Sequence, residues 1–269
     1  MNGLEKITSR DNRRLVGVRK VRDRKVTDLI LIEGVRLVGE ALRSDLEIVE
    51  AYVSEDFTDE AVLGSVKNSV PTMFRISQRL FGSIADTKTP QGILVLAKRP
   101  CKGNALLEER FATADVPIVL LLNKINNPSN LGAILRTSEA AGIGGVIITE
   151  ASCDAYSTRS LRASMGAAFR LPVWQGCSIE EAFGWSKKIC LTNTAADMAG
   201  EKTYVDVDWT IPRLLIFGSE ARGIAEVDHS LVSESMRIPM APDVESLNLA
   251  VSAGIVLFEA RRQIGAESI

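Results

Sequence analysis

Apolar residues along this chain follow two patterns, and the change from one to the other divides it. Over the first 98 residues, short apolar runs alternate with amphipathic stretches. Ile7, Leu15, Val18 and Val21 stand among charges at spacings that predict a basic helix over residues 7–21. Leu29-Ile30-Leu31-Ile32, closed by Glu33-Gly34, reads as a strand and its turn. Val35, Leu37, Val38, Ala41 and Leu42 then repeat at helical spacing. A second strand over 48–53, a helix over 59–66 and a closing strand over 92–97 complete a rhythm that predicts a compact α/β module spanning 1–98.

Lys98-Arg99-Pro100-Cys101-Lys102-Gly103-Asn104 is polar and broken by Pro and Gly, so 99–115 reads as a linker. Beyond it the apolar runs lose their alternation: Ile118-Val119-Leu120-Leu121-Leu122, Val146-Ile147-Ile148 and Leu214-Leu215-Ile216-Phe217. Continuous apolar strands are what a parallel sheet covered on both faces requires. Residues 116–269 therefore read as a second, parallel-sheet α/β domain. Ala141-Gly142-Ile143-Gly144-Gly145 is no dinucleotide loop, because its glycines end a helix and precede a strand, the reverse of the order such a loop needs. A helix-capping glycine accounts for it better.

Composition narrows the field. With 46% hydrophobic and 25% charged residues the chain is ordinary globular material. No apolar run approaches the ~20 residues of a membrane helix, and Met1-Asn2-Gly3-Leu4-Glu5-Lys6 lacks the apolar core of a secretory signal. Cys101, Cys153, Cys177 and Cys190 form no CxxC pair, so free thiols in a cytoplasmic protein are expected rather than a zinc ribbon or disulfides. The single histidine, His229, excludes histidine-rich metal sites and reads as a surface residue. The net charge of −2 conceals an asymmetry: residues 6–25 hold nine basic and two acidic side chains, a local +7 suited to phosphates.

Three loops carry candidate chemistry. The first, Asn123 onward, turns at Asn127-Pro128 and enters a helix with Ser129 or Asn130 as its expected N-cap; Arg136 follows six residues after Asn130. The second, Phe217-Gly218-Ser219-Glu220-Ala221-Arg222-Gly223, places two glycines around a Ser-Glu pair after a strand, which permits close backbone approach to a ligand. The third, Ile238-Pro239-Met240-Ala241-Pro242-Asp243-Val244-Glu245-Ser246-Leu247-Asn248, leads into a stretch to Gln263 so apolar that the helix is expected to be buried nearly all round.

In order and content, the blocks NPSNLGAILRTSEAAG, LLIFGSEARG and IPMAPDVESLNLAVSAGI resemble the signature motifs of the SpoU (TrmH) family within the SPOUT class of methyltransferases. Residues 161–173, LRASMGAAFRLPV, are similar to the family as well, and the likeness covers roughly 117–263. The first half resembles the smaller substrate-binding domain many members carry. The resemblance implies a SPOUT parallel-sheet domain with a deep trefoil knot, a homodimer with active sites at its interface, and S-adenosylmethionine bound in the knot. Carried over by motif position, Gly218, Ile238, Met240, Ser246, Leu247 and Asn248 hold that cofactor, and Arg136, Asn130, Glu220 and Asn248 form the catalytic set. The implied reaction is methylation of an RNA ribose 2′-hydroxyl in the cytoplasm; the separate first domain and its basic segment favour rRNA as the substrate, with tRNA the alternative. A catalytically silent RNA-binding or ribosome-assembly protein is the competing reading. The first motif has Ser129 where many members have glycine.

Overall fold

The structure is a computed structural model that describes residues 5–100, 103–219, 223–224 and 229–265. In chain order its elements are β1 (Glu5–Ile7), α1 (Arg13–Arg22), β2 (Leu29–Glu33), α2 (Val35–Leu42), β3 (Ile48–Ser54), α3 (Glu60–Ser69), β4 (Met73–Ile76), α4 (Gln78–Ile84) and β5 (Ile93–Lys98). There follow α5 (Ala105–Phe111), β6 (Val116–Leu122), α6 (Pro128–Ala141), β7 (Ile143–Thr149), α7 (Thr158–Ser164), α8 (Ala167–Arg170), β8 (Val173–Cys177) and α9 (Ile179–Lys188). The last are β9 (Thr192–Ala196), β10 (Lys202–Thr203), β11 (Arg213–Phe217), β12 (Glu234–Arg237) and α10 (Leu249–Ile264), with a short 3-10 turn at His229–Leu231 before β12.

The chain forms two compact units, Met1–Cys101 with Tyr156–Arg170, and Lys102–Ala155 with Leu171–Ile269. The first is built on a mixed sheet of order β1-β4-β3-β5-β2, with β5 antiparallel to both its neighbours. Helix α1 begins only at Arg13, because Asn12 caps it through the Arg14 amide and the preceding Ile7 pairs with Ile76 as a strand. The expected helix over 7–21 is thus corrected at its start. Leu15, Val18 and Val21 do face the core. The segment of the second half that joins this unit packs α7 on the edge strand β2. Arg162 pairs with Asp86 at 2.9 Å and Arg170 with Glu40 at 2.7 Å. Gly166, at φ +93°, lies where a Cβ would come within 2.7 Å of the Glu40 side chain, so the helix α7–α8 junction requires glycine.

The second unit is a seven-stranded sheet of order β10-β12-β9-β11-β6-β7-β8, parallel throughout. The all-apolar run of β6 sits at its centre, and Ile118, Val119, Leu120, Leu121 and Leu122 are wholly buried. Gly142 caps α6 in the left-handed conformation, as its position before a strand predicts. From β6 the chain builds outward through β7 and β8, then crosses to the other side for β9. In such sheets the strand order reverses between two neighbours, here β6 and β11, and ligands bind beyond the strands' carboxyl ends at that point.

Two expectations are corrected here. Residues 105–111 of the supposed linker form α5, whose Leu107 is fully buried among Val119, Leu121 and Ile147. A single apolar residue per turn gave that helix no visible period. Helix α10 is not buried all round within the chain: Ala253, Val256, Leu257 and Ala260 face the core, whereas Val251 and Phe258 are 51% and 49% exposed.

Candidate active site

The first motif is shaped by what satisfies its backbone. After β6, the Asn123 amide donates to the Phe217 carbonyl at 2.9 Å. Thr149 Oγ1 donates to buried Asn123 Oδ1 and accepts the Lys124 amide, each at 3.1 Å. The loop then turns, and Asn127, not Ser129 or Asn130, caps α6: its Oδ1 accepts the amides of Ser129 and Asn130 at 2.9 and 3.4 Å. Pro128 supplies the first helical residue, where a missing N–H costs nothing. The cap lies one position before the proline because a residue preceding proline is pushed out of the helical region, which is the conformation a cap adopts.

Freed from capping, the Asn130 side chain accepts a hydrogen bond from Asn248 Nδ2 at 3.1 Å, across 118 residues of sequence. Asn248 simultaneously caps α10, its Oδ1 accepting the amides of Ala250 and Val251 at 3.0 and 3.4 Å. One side chain therefore starts a helix with its oxygen and joins the first motif to the third with its nitrogen. At their far ends the same helices meet again, where Arg261 donates to the Ala141 carbonyl at 3.2 Å.

Between these loops lies a cavity of about 1040 Å³ beyond the carboxyl ends of β9, β11 and β12. Gly218, Ile238, Met240, Ser246, Leu247 and Asn248 all line it, as does Asn130. Gly218 is fixed by packing: a Cβ there would stand 1.7 Å from the Gly223 carbonyl oxygen. Among the described residues, no hydrogen bond takes up the main-chain amides of Ile238, Met240 or Leu247. Free amide donors beside Ile224, Met198 and Leu247 make a surface that is apolar between fixed polar points, the usual chemistry of a cofactor site.

One wall escaped the motif reading. Ala196, Asp197, Met198 and Ala199 also line the cavity. The Asp197 amide donates to the Met236 carbonyl at 2.9 Å, and Arg237 donates to the carbonyls of Gly200 and Glu201. A Cβ on Gly200 would lie 2.4 Å from the Met236 carbonyl carbon, so the wall is pressed onto β12. The available signal was a small-residue stretch ending in glycine after an apolar strand, which is too common to single out. Beneath the wall, buried Arg213 bonds to Thr194 at 2.6 Å and pairs with Glu234, which Lys202 also holds at 2.7 Å.

Arg136 stands apart from the cavity. Six residues beyond Asn130 on α6, it is displaced by about 9 Å along the axis and roughly a third of a turn around it. It is exposed and makes no hydrogen bond or ion pair among the described residues. Glu220 lies outside the described residues, as does the side chain of His229. Among the described residues no group of His, Cys, Asp or Glu could hold a metal ion, and no helix is long and apolar enough to cross a membrane.

Residues 117–258 match the SpoU rRNA Methylase family, and residues 13–95 match the MRM3-like substrate binding domain. The chain is 28% identical to the 23S rRNA (guanosine(2553)-2'-O)-methyltransferase RlmP of Bacillus subtilis, over 96% of this chain and all of that one. It is 32% identical to an uncharacterized tRNA/rRNA methyltransferase of Synechocystis, over 72% of this chain and 69% of the other. Among solved structures, an AdoMet-bound rRNA methyltransferase from Sinorhizobium meliloti superposes with a TM-score of 0.84 at 26% identity, covering 98% of this chain and 99% of that one. With a parallel sheet, a switch-point cavity and three motifs gathered around it, the chain belongs to the SpoU rRNA methylase family.

Proposed function

We propose that this protein transfers a methyl group from S-adenosylmethionine to a ribose 2′-hydroxyl of ribosomal RNA. The observation that carries the reading is the cavity itself, lined by the hydrogen-bonded pair Asn130 and Asn248 and by Ile238, Met240 and Leu247, whose amides no described residue takes up. Those amides, with Gly218 and the side chains of Met240 and Leu247, suit the polar and apolar parts of the cofactor. Ser246 and Asn248 line the cavity at the mouth of α10, whose Ala250 and Val251 amides are capped by Asn248 itself. When bound, S-adenosylmethionine supplies an electrophilic methyl group on a positively charged sulfur. The protein's part is to bring the ribose oxygen to about 3–3.5 Å and in line. Asn130 and Glu220 are assigned to positioning, and Asn248 to the wall that fixes Asn130. Arg136 is assigned to the neighbouring phosphate and to charge developing on the ribose oxygen; a guanidinium with a pKa above about 12 is a poor base and a strong anion clamp.

Arg136 is exposed and is not among the residues lining its own cavity, and α10 exposes Val251 and Phe258, seven residues apart on one face. Both features support a homodimer whose interface completes each active site. The trefoil knot that the motifs imply belongs to the same reading, and the return of the third motif to the first, where Asn248 bonds to Asn130, supports it. A cytoplasmic location belongs to the same reading, as does RNA recognition by residues 1–98. RlmP's name specifies 23S rRNA, which supports rRNA over tRNA as the substrate.

The test is transfer of tritium from labelled S-adenosylmethionine to rRNA and tRNA lacking the modification, followed by nucleoside analysis. Label in a 2′-O-methylnucleoside of rRNA is expected. Cofactor binding without transfer to either pool would refute the acceptor, and absence of cofactor binding would favour the silent RNA-binding reading.

A further inference from the structure

Four cations of the basic run near the start of the chain are committed to the fold. Lys6 pairs with Glu55 at 2.6 Å, and Arg14 pairs with Glu50 beneath the Phe74 ring. Arg19 donates to the Arg10 carbonyl at 2.7 Å. Arg22 donates to the Ser83 and Ala85 carbonyls at 3.0 and 3.3 Å. Lys6 and Arg14 have their charge met by carboxylates, while Arg19 and Arg22 are held by carbonyls and lose reach rather than charge.

A different part of the first unit presents cations on a backbone that cannot move. Glu33, 6% exposed, accepts the amides of Asp86 and Thr87 at 2.7 and 3.3 Å and the Thr87 hydroxyl. Gln91 Oε1 accepts the Val35 amide at 2.9 Å, against Gly34 at φ +98°, where a Cβ would touch that same oxygen at 2.8 Å. The loop over 85–91 is therefore anchored at both ends to the junction of β2 and α2. Lys88 is exposed on that loop and Arg36 on the first turn of α2. Asp86 ties α7 to the same place through Arg162, and exposed Arg159 stands three residues earlier on that helix. The neighbouring carboxylates are already satisfied: Glu33 by main-chain amides, Asp86 by Arg162, Glu40 by Arg43 and Arg170. Arg36, Lys88 and Arg159 remain as surplus positive charge.

We infer that the phosphate backbone of the substrate RNA docks on this rim, held by Arg36, Lys88 and Arg159. The inference rests on the RNA-methyltransferase reading for the identity of its ligand. Its physical basis is that an anchored loop loses no ordering entropy when a rigid RNA engages it, while each neutralised phosphate releases a counterion. Helix α7 belongs to a segment joining β7 to β8 of the catalytic sheet, so RNA held here also grips the chain that leads directly into the methyltransferase unit.

The experiment uses the full chain and filter binding to unmodified rRNA across a salt series. The Arg36→Ala, Lys88→Ala, Arg159→Ala triple variant is expected to bind on the order of tenfold or more weakly at 0.1 M salt. Its log–log salt slope should be shallower by about 2–3, near 0.9 for each phosphate that is no longer neutralised. Arg13→Ala with Lys20→Ala on α1, two exposed cations outside the anchored rim, should cost less affinity and less slope than the triple variant, and Lys88→Arg with Arg159→Lys should keep the slope. Wild-type slope and affinity in the triple variant, or a larger loss in the α1 variant than in the triple variant, would overturn the assignment. Because binding is read without methyl transfer, an enzyme that docks RNA but transfers no label would refute the reaction and leave the docking rim intact.

Discussion

The two ends of the Asn248 side chain can be separated by substitution. Asn248→Ala removes both the α10 cap and the bond to Asn130. A lost cap costs about 1 kcal/mol and a lost hydrogen bond about 0.5–1.5 kcal/mol. For a chain of this size each kcal/mol lowers the melting temperature by roughly 2–4 °C, so a fall of about 3–10 °C is expected. Asn248→Asp behaves differently. Aspartate accepts the Ala250 and Val251 amides as well as asparagine does, and its charge suits a helix N-terminus, so the melting temperature should stay within about 2 °C of wild type. What it cannot do is donate to Asn130 Oδ1. Asn130 must turn its amide to recover a bond, and that reverses the donor and acceptor it shows to the cavity. Scanning calorimetry, cofactor titration and single-turnover methyl transfer would separate these effects. Asn248→Asp should keep its stability while transfer falls about three- to tenfold, the worth of one such bond. Full transfer rates in a stable Asn248→Asp would show that the Asn130–Asn248 bond does not organise the site.

Four further outcomes follow from the same geometry. Gly218→Ala must displace the Gly223 carbonyl by more than 1 Å, because its Cβ would start 1.7 Å away; cofactor affinity should drop at least a hundredfold, read by calorimetry. Arg136→Ala should retain cofactor affinity and lose most transfer, and a folded variant that no longer bound the cofactor would contradict the role as an RNA clamp. If the proposed homodimer uses this face of α10, Phe258→Glu should sediment as a monomer, with transfer lost in parallel; a variant that sediments as wild type does would place any interface elsewhere. Burial pushes the Glu234 carboxyl up, but the Lys202 hydrogen bond and the Arg213 charge outweigh it and hold its pKa below the ordinary 4.5. The stability it contributes is complete above that ordinary value and is lost as pH falls through the lower folded value. Glu234→Gln should therefore flatten the fall in melting temperature between about pH 5 and 3, and an equally steep fall would rule out this ion pair as the cause.

The sequence by itself determined the elements whose neighbours are regular. Five consecutive apolar residues in β6 announced a strand covered on both faces, because no other setting hides them all, and Gly142 announced a helix end because its left-handed backbone suits glycine. Short, charge-bearing elements stayed invisible: β4 contains Arg75, and α5 buries Leu107 almost alone. Only the tertiary structure decided which side chains cooperate. That Asn127 caps α6 and leaves Asn130 for Asn248 depends on a backbone turn and on a partner 118 residues away, and spacing along the chain carries no such information. The same holds for charge. Residues 6–25 look like a nucleic-acid footprint when counted, yet Arg14, Arg19 and Arg22 are drawn into the fold by Glu50 and by carbonyls at 10, 83 and 85. A charge serves a ligand only when its side chain is free to reach one, and that is a property of three-dimensional neighbours.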